Sequence, residues 1–385
     1  MSAIESREAW DRYRERELSS VRPILTELGF ELDDVQVHIG GERYLMVGHT
    51  LYLSGGRTRQ GSVRKLVLMG RRIHDNKRVV IKVSSDPSGA REIKHEREAR
   101  QLLHKINFAQ RAFFSPAEVL FMERDGRVIS IVEYVEQERH FIDHPLDEQF
   151  FLALRALEAQ EGAHATTARH AATIEEVFGI ARADEYLRAF STFKDTALTY
   201  NSDNTSLREA LERARDFLQK NRTVIERYSG FLTHHDFFPH NLRINGRDIY
   251  LLDYAAIYFG NKYESWARFL NYMLQFSPLL EKALAQYVRD NRGEEEYLCL
   301  RLLRAYKIGF LLQFYAASLP KTHGDLHKMA QLRIAFWTNA LNAIVDDQPL
   351  PEGAVGEFIR AQEALRSEEE KARQREVSSS QGVVA

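Results

Sequence analysis

The sequence predicts an α+β protein in two parts: a small, mostly antiparallel N-terminal sheet carrying one helix, followed by a larger and mainly helical C-terminal part. Three observations carry this. Between Val35 and about Val135, short β-rich runs punctuated by Gly, Asn and Asp (RYLMVG, TLYL, VRKLVLMG, RVVIKV and VISIVEYV) surround a single helical pattern, EIKHEREARQLLHKI. Beyond Val135 the spacing turns helical, as in DEQFFLALRALEAQEGAHA and SLREALERARDFLQKNRTVIERY. One β-like island, from Phe231 to Tyr258, interrupts the helices. A mostly antiparallel sheet with one helix, then a helical layer, is the arrangement such an order favours.

The bulk properties agree and narrow the function. With 385 residues, 44% hydrophobic and 28% charged, the chain is long enough for two parts and apolar enough to bury a large core. Lys plus Arg (53) nearly balances Asp plus Glu (55), so no global field points to nucleic acid or an anionic membrane. A lone cysteine, Cys299, excludes an internal disulfide and a multi-cysteine metal site, and suits a reducing compartment. The charged N-terminus has no apolar signal core, and the most apolar late stretch, Lys307 to Pro320, is too short for a bilayer. A cytoplasmic location is the expectation.

Taken in order, residues 4 to 28 place Trp10, Tyr13, Leu18, Val21, Leu25 and Leu28 at helical spacing, predicting a packing helix ahead of the sheet. Ser54 to Ser62 is a loop in which Gly55, Gly56 and Gly61 would let backbone N–H groups approach a phosphate, or simply close a hairpin. The segment from Arg57 to Lys82 holds nine basic residues against one acid, Asp75, and is read as a basic strand face rather than a nucleic-acid site. Lys82 sits inside the apolar run VVIKV, where an unpaired ammonium is costly, so it requires an anionic partner. The following helix offers Glu96 and Glu98, about 200° apart around the helix axis, so only one can face Lys82. Glu98 is the expected partner, because Leu102 and Ile106 continue its face. The final stretch, from about Glu352, reads as an exposed helix and a frayed tail.

The island holds most of the chemistry: FLTHHDFFPHNLRINGRDIYLLDY. Asp236, five positions to Asn241, a strand, an Asn-Gly turn, a second apolar strand and Asp253 describe a hairpin presenting three oxygen donors on one edge. Such a set suits Mg2+, which takes carboxylate and amide oxygens and leaves positions for phosphate and water. His234, His235 and His240 lack an evident fourth ligand for zinc.

Glycine loop, strand lysine, helix glutamate, linker strand IleSerIleValGluTyrVal, Asp-x4-Asn and a further Asp, in this order, resemble the protein-kinase-like superfamily. Within it, HHDFFPHN and LLDY are similar to the aminoglycoside phosphotransferase and choline kinase branch, with His235 where that branch usually has glycine. GNKYESWA resembles that branch's Gly-x-x-x-Asp-Leu-Ala, with Glu264 in place of Asp. The short connection after Asp253 leaves no room for a peptide-docking activation loop. The resemblance implies a two-lobed fold: an N-terminal extension (1–38), a nucleotide-binding N-lobe (39–135), a helical C-lobe with the catalytic loop (136–350) and a charged tail (351–385). It implies ATP-dependent transfer of the γ-phosphate to a hydroxyl of a small molecule. Adenine would lie against Glu133 to Val135, Lys82, held by Glu98, would contact the α- and β-phosphates, Asn241 and Asp253 would hold Mg2+, and Asp236 would act as base. A non-catalytic nucleotide-binding scaffold, or a choline or amino-sugar kinase, is the alternative. For the acceptor, Glu281, Glu294, Glu295 and Glu296 would suit an amine-rich substrate, and Trp266, Phe269, Tyr272, Phe276, Phe314 and Trp337 an aromatic-lined pocket. Neither nucleic acid nor membrane is an expected partner.

Overall fold

The computed structural model describes residues 3–33, 65–105, 114–137, 139–161, 172, 175–246, 248–322 and 324–365. The chain opens with α1 (Ala3–Glu27), followed by β1 (Phe30–Leu32), β2 (Leu66–Arg72), β3 (Arg78–Ser84), α2 (Pro87–Lys105), β4 (Glu118–Arg124) and β5 (Arg127–Glu133). The five strands form one antiparallel sheet in the order β1-β2-β3-β5-β4. Alternation decides its two faces. Val79, Ile81 and Val83 of β3 are buried with Tyr13, Val21, Ile24 and Leu25 of α1, which forms one side of this core. Lys82, one residue out of phase, projects from the opposite face toward α2.

Two of the expected strand runs, RYLMVG and TLYL, and the loop with Gly55, Gly56 and Gly61 lie outside the described residues. Strand β4, in contrast, goes beyond the sequence expectation. Its hairpin with β5 turns at Asp125 (φ +50°) and Gly126 (φ +72°), a dipeptide that favours this turn because both residues adopt the left-handed region readily. Where the basic stretch is described, five of its six lysines and arginines meet a carboxylate: Lys65 pairs with Glu92, Arg71 with Asp33, Arg72 with Asp75, Arg78 with Glu136 and Lys82 with Glu96.

The C-terminal part contains α3 (Leu146–Glu161), α4 (Ala183–Thr199), α5 (Thr205–Lys220), α6 (Arg222–Arg227), then β6 (Ser229–His234), β7 (Leu242–Asn245), β8 (Asp248–Leu251) and β9 (Ile257–Asn261), and finally α7 (Glu264–Phe276), α8 (Pro278–Arg292), α9 (Glu294–Ala316), α10 (Asp325–Asp346) and α11 (Ala354–Leu365). The island becomes two antiparallel pairs, β6 with β9 and β7 with β8. In the β7–β8 hairpin Asn245 pairs with Asp248, and Gly246 supplies the positive φ (+57°). The apolar stretch after Lys307 is the second half of α9, with Ile308, Leu312 and Ala316 in the core. Among the described residues no helix is long and apolar enough to cross a membrane.

Two cores result, one between α1 and the sheet and one through the helices. Helix α2 joins them, because its Ala99 belongs to the second core. Phe114, after α2, donates its N–H to Ile249 and accepts from Leu251, tying this connection to the β7–β8 hairpin.

Candidate active site

On β3, Lys82 has β2 on one side and β5 on the other, so it is a central-strand residue. Its ammonium donates to both carboxylate oxygens of Glu96, at 2.6 and 2.5 Å. The expected partner Glu98 is corrected: it is exposed, and Glu96 is the carboxylate that meets Lys82. The reason is the stripe α2 buries, which runs through Gly89, Ile93, Glu96, Ala99 and Arg100, whereas Leu102 on the Glu98 side is only half-buried.

Lys65, just ahead of β2, donates to Glu92 at 2.6 Å. Burial disfavours its ammonium, but the charges of Asp253, Glu92 and Glu96 outweigh this and hold its pKa above the ordinary lysine range. Helix α2 packs against the turn Tyr254–Ala256 that follows Asp253, and the charge of Asp253 reaches Lys65 from there. Tyr254 reports the same proximity: burial raises its pKa, while Arg100 and Glu96 of α2 act on its hydroxyl with opposite sign. Lys65 was not foreseen, because a lysine flanking an apolar strand reads as an ordinary strand end.

On the other side of this junction, β6 delivers His234 and Asp236. The buried imidazole of His234 donates from Nε2 to the carbonyls of Leu252 (3.1 Å) and Asp253 (3.0 Å), and its Nδ1 accepts the Asp236 N–H (3.2 Å). Burial pushes its pKa down, against the pull of Asp253 and Asp236. A neutral ring thus ties the backbones of the two aspartates together. The N–H of His234 is in turn fixed by Ser265 at 2.9 Å.

Asn241 donates from Nδ2 to the Asp236 carbonyl (2.8 Å), and its own carbonyl receives the Leu252 N–H (2.9 Å). With the amide N–H spent on the loop, its oxygen is the atom suited to a hard cation. Asp253 is held in the left-handed region (φ +58°, ψ +60°), a conformation that costs a non-glycine residue about 1 kcal/mol and is concentrated at functional positions. One amide oxygen and one carboxylate fit Mg2+ shared with phosphate oxygens better than a closed protein cage. Among the described residues no group of three His, Cys, Asp or Glu is arranged to hold a metal ion, and both ring nitrogens of His234 are committed to backbone groups.

Two further features were not legible as site residues. Arg268 of α7 donates from Nε (3.0 Å) and Nη2 (2.8 Å) to the same oxygen, Oδ1, of Asp236, and its guanidinium lies 5.0 Å from the Phe238 ring centroid. Next to Asp236, His235 fills the position where the related motif has glycine. No left-handed backbone is needed there, since His235 is absent from the positive-φ residues described. The Lys307 ammonium donates to His235 Nδ1 (3.1 Å), the His235 carbonyl (3.2 Å) and Glu264. Tyr186 and Tyr258 donate to the other oxygen of Glu264. Glu264 is fully buried, which raises its pKa, yet Lys307 and His235 overcome this and hold the carboxyl below its ordinary range.

No protein-family model matches the chain, and no curated protein matches it in sequence. Solved structures do. The ADP-bound aminoglycoside phosphotransferase APH(2'')-Ib superposes with a TM-score of 0.50 at 14% identity, over 80% of this chain and 99% of that one. The macrolide 2'-phosphotransferase MphH from Brachybacterium faecium gives a TM-score of 0.48 at 14% identity, over 83% and 98%. An amicoumacin kinase in complex with AMP-PNP and Ca2+ gives 0.48 at 13%, over 76% and 89%. The chain therefore shares the kinase-like fold of the aminoglycoside phosphotransferase APH(2'')-Ib. Its described antiparallel sheet, the helix α2 after β3 and its helical C-terminal part are what the resemblance implied.

Proposed function

We propose that the protein is an ATP-dependent phosphotransferase that moves the γ-phosphate to a hydroxyl of a small molecule. What supports this is that the Lys82–Glu96 pair belongs to the N-terminal part, whereas Asp236, Asn241 and Asp253 lie in one short segment of the C-terminal part, and helix α2 packs against the turn Tyr254–Ala256 that follows Asp253. Lys82, restrained by Glu96, would neutralise the α- and β-phosphates. Glu133 and Tyr134 give their N–H groups to Ala117 and Arg78, so Val135 is the linker amide assigned to the adenine. Asn241 and Asp253 would hold Mg2+, which supplies charge neutralisation across the phosphate oxygens. Asp236, fixed by Arg268 through Oδ1, would orient the acceptor hydroxyl and take its proton.

Because phosphoryl transfer runs through a loose transition state, positioning and electrostatics supply most of the acceleration, and proton removal a smaller share. Transfer of label from γ-labelled ATP to a panel of hydroxyl compounds tests the reading, with Asp236→Asn as control. The variant should lose about 100- to 10,000-fold in kcat while still binding ATP. Nucleotide binding without transfer to any hydroxyl compound would instead identify a non-catalytic scaffold.

A further inference from the structure

The choice between an acid-lined and an aromatic-lined acceptor site is decided by what each candidate residue touches. All four carboxylates proposed for an amine-rich substrate are matched by a cation: Glu281 by Arg304, Glu294 by Arg289, Glu295 by Arg227 and Glu296 by Lys262. Nearer the base, Asp236 itself is matched by Arg268 and Glu264 by Lys307. None of these supplies the surplus negative charge that would draw a polycation.

The aromatic candidates divide differently. Trp266, Phe269 and Trp337 are core residues. Tyr272 and Phe276, one turn apart on α7, stack at 4.3 Å and 19°, and Tyr272 stacks in turn on Phe238 at 5.4 Å and 24°. His240 of the Asp-x4-Asn loop bonds the Tyr272 hydroxyl at 3.0 Å and sets its ring edge against it. The ladder is anchored at Phe238, two residues from the base, and ends at Phe276, which is 61% exposed. Its inner end also carries a charge. The Arg268 guanidinium lies over Phe238, so an ammonium seated there would meet a cation already using that ring face.

We propose that Phe238, Tyr272 and Phe276 form the acceptor subsite, and that the acceptor is a ring-bearing alcohol that is uncharged or anionic, lying along the edge of the ladder with its hydroxyl at Asp236. This rests on the phosphotransferase reading. Arg268 then has two tasks, holding the base and excluding cationic acceptors.

The test is ATP-dependent turnover of the full chain against polycationic amino sugars, quaternary amino alcohols, uncharged aryl glycosides, nucleosides and nucleoside monophosphates, with ATP binding measured in parallel. The expected result is turnover confined to the last three classes. In Phe276→Ala the KM of the acceptor rises about 10-fold, with kcat and the KM of ATP little changed. Tyr272→Ala raises the acceptor KM in the same way. Preferential turnover of the cationic classes, an unchanged acceptor KM in Phe276→Ala, or ATP binding with no acceptor of the last three classes used would each overturn the subsite while leaving the nucleotide site standing. Failure to bind ATP would overturn both.

Discussion

Among the described residues, two lysine–glutamate pairs have a buried carboxylate, and they are built to opposite ends. Lys307 is 3% exposed and Glu264 not at all; two tyrosine hydroxyls and a histidine complete their hydrogen bonding, and the pair is sealed. Lys82 and Glu96 are 14% and 8% exposed, and the two hydrogen bonds of Lys82 to described residues go to one carboxylate. A lysine has three N–H donors, so this pair is restrained but not saturated. A sealed pair fixes a shape. An unsaturated one on the helix that packs beside Asp253 is suited to receive an anion, which is why the second pair, and not the first, is assigned to the proposed nucleotide site.

The contrast is breakable by experiment, and the largest effects belong to the open pair. Lys82→Met and Asp253→Ala should each lower turnover by at least about 1,000-fold, with Lys82→Met losing about 1 kcal/mol of stability because its pair borders solvent. Chemical denaturation and steady-state rates separate the two quantities. Lys307→Met should show the reverse order: about 3–5 kcal/mol of stability lost, because Glu264 is left buried and charged, so that the unfolding midpoint moves more than nucleotide affinity. A sealed pair that unfolds no more easily after this change would show that the comparison is wrong.

A pH series sharpens it. Glu264 has a folded pKa held below its ordinary value near 4.5, so the unfolded state binds its proton first as the pH falls. The stabilisation it contributes is present above pH 4.5 and is lost progressively below it, toward the depressed folded value. Unfolding free energy measured from pH 7 to pH 3 should therefore fall more steeply in the wild type than in Glu264→Gln. The smallest effect is expected at Glu98, where Glu98→Gln should change stability by less than about 0.5 kcal/mol and leave turnover intact, while Glu96→Gln impairs it.

Much of this was legible in the sequence, for reasons that differ along the chain. The island could be read because its chemistry is local: Asp236, Asn241 and the β7–β8 hairpin lie within one short segment, and the Asn-Gly turn announces the hairpin. Lys82 could be read because a charge inside an apolar strand demands a partner. Its partner could not, since choosing Glu96 over Glu98 depends on which face α2 buries, and Leu102 suggested the wrong one. Arg268 and Lys65 escaped because a single arginine on an amphipathic helix, or a lysine before a strand, looks the same whether it meets water or an aspartate across the fold. Lys307 was noticed only as a flank of an apolar segment, and its contact with His235 links positions 72 residues apart. Strand β4 was missed although its Asp125-Gly126 turn was a usable signal.

The account's central claim is that Lys82, Asp236, Asn241 and Asp253 act on one bound nucleotide. Single-turnover transfer from γ-labelled ATP in the presence of Mg2+, compared between wild type and Asp236→Asn at saturating ATP, tests it most directly. The account predicts label in a small-molecule phosphate ester for the wild type, a rate reduced at least about 100-fold in the variant, and the same ATP affinity in both. Equal transfer rates in the two proteins, or ATP affinity unaffected by Lys82→Met, would contradict it.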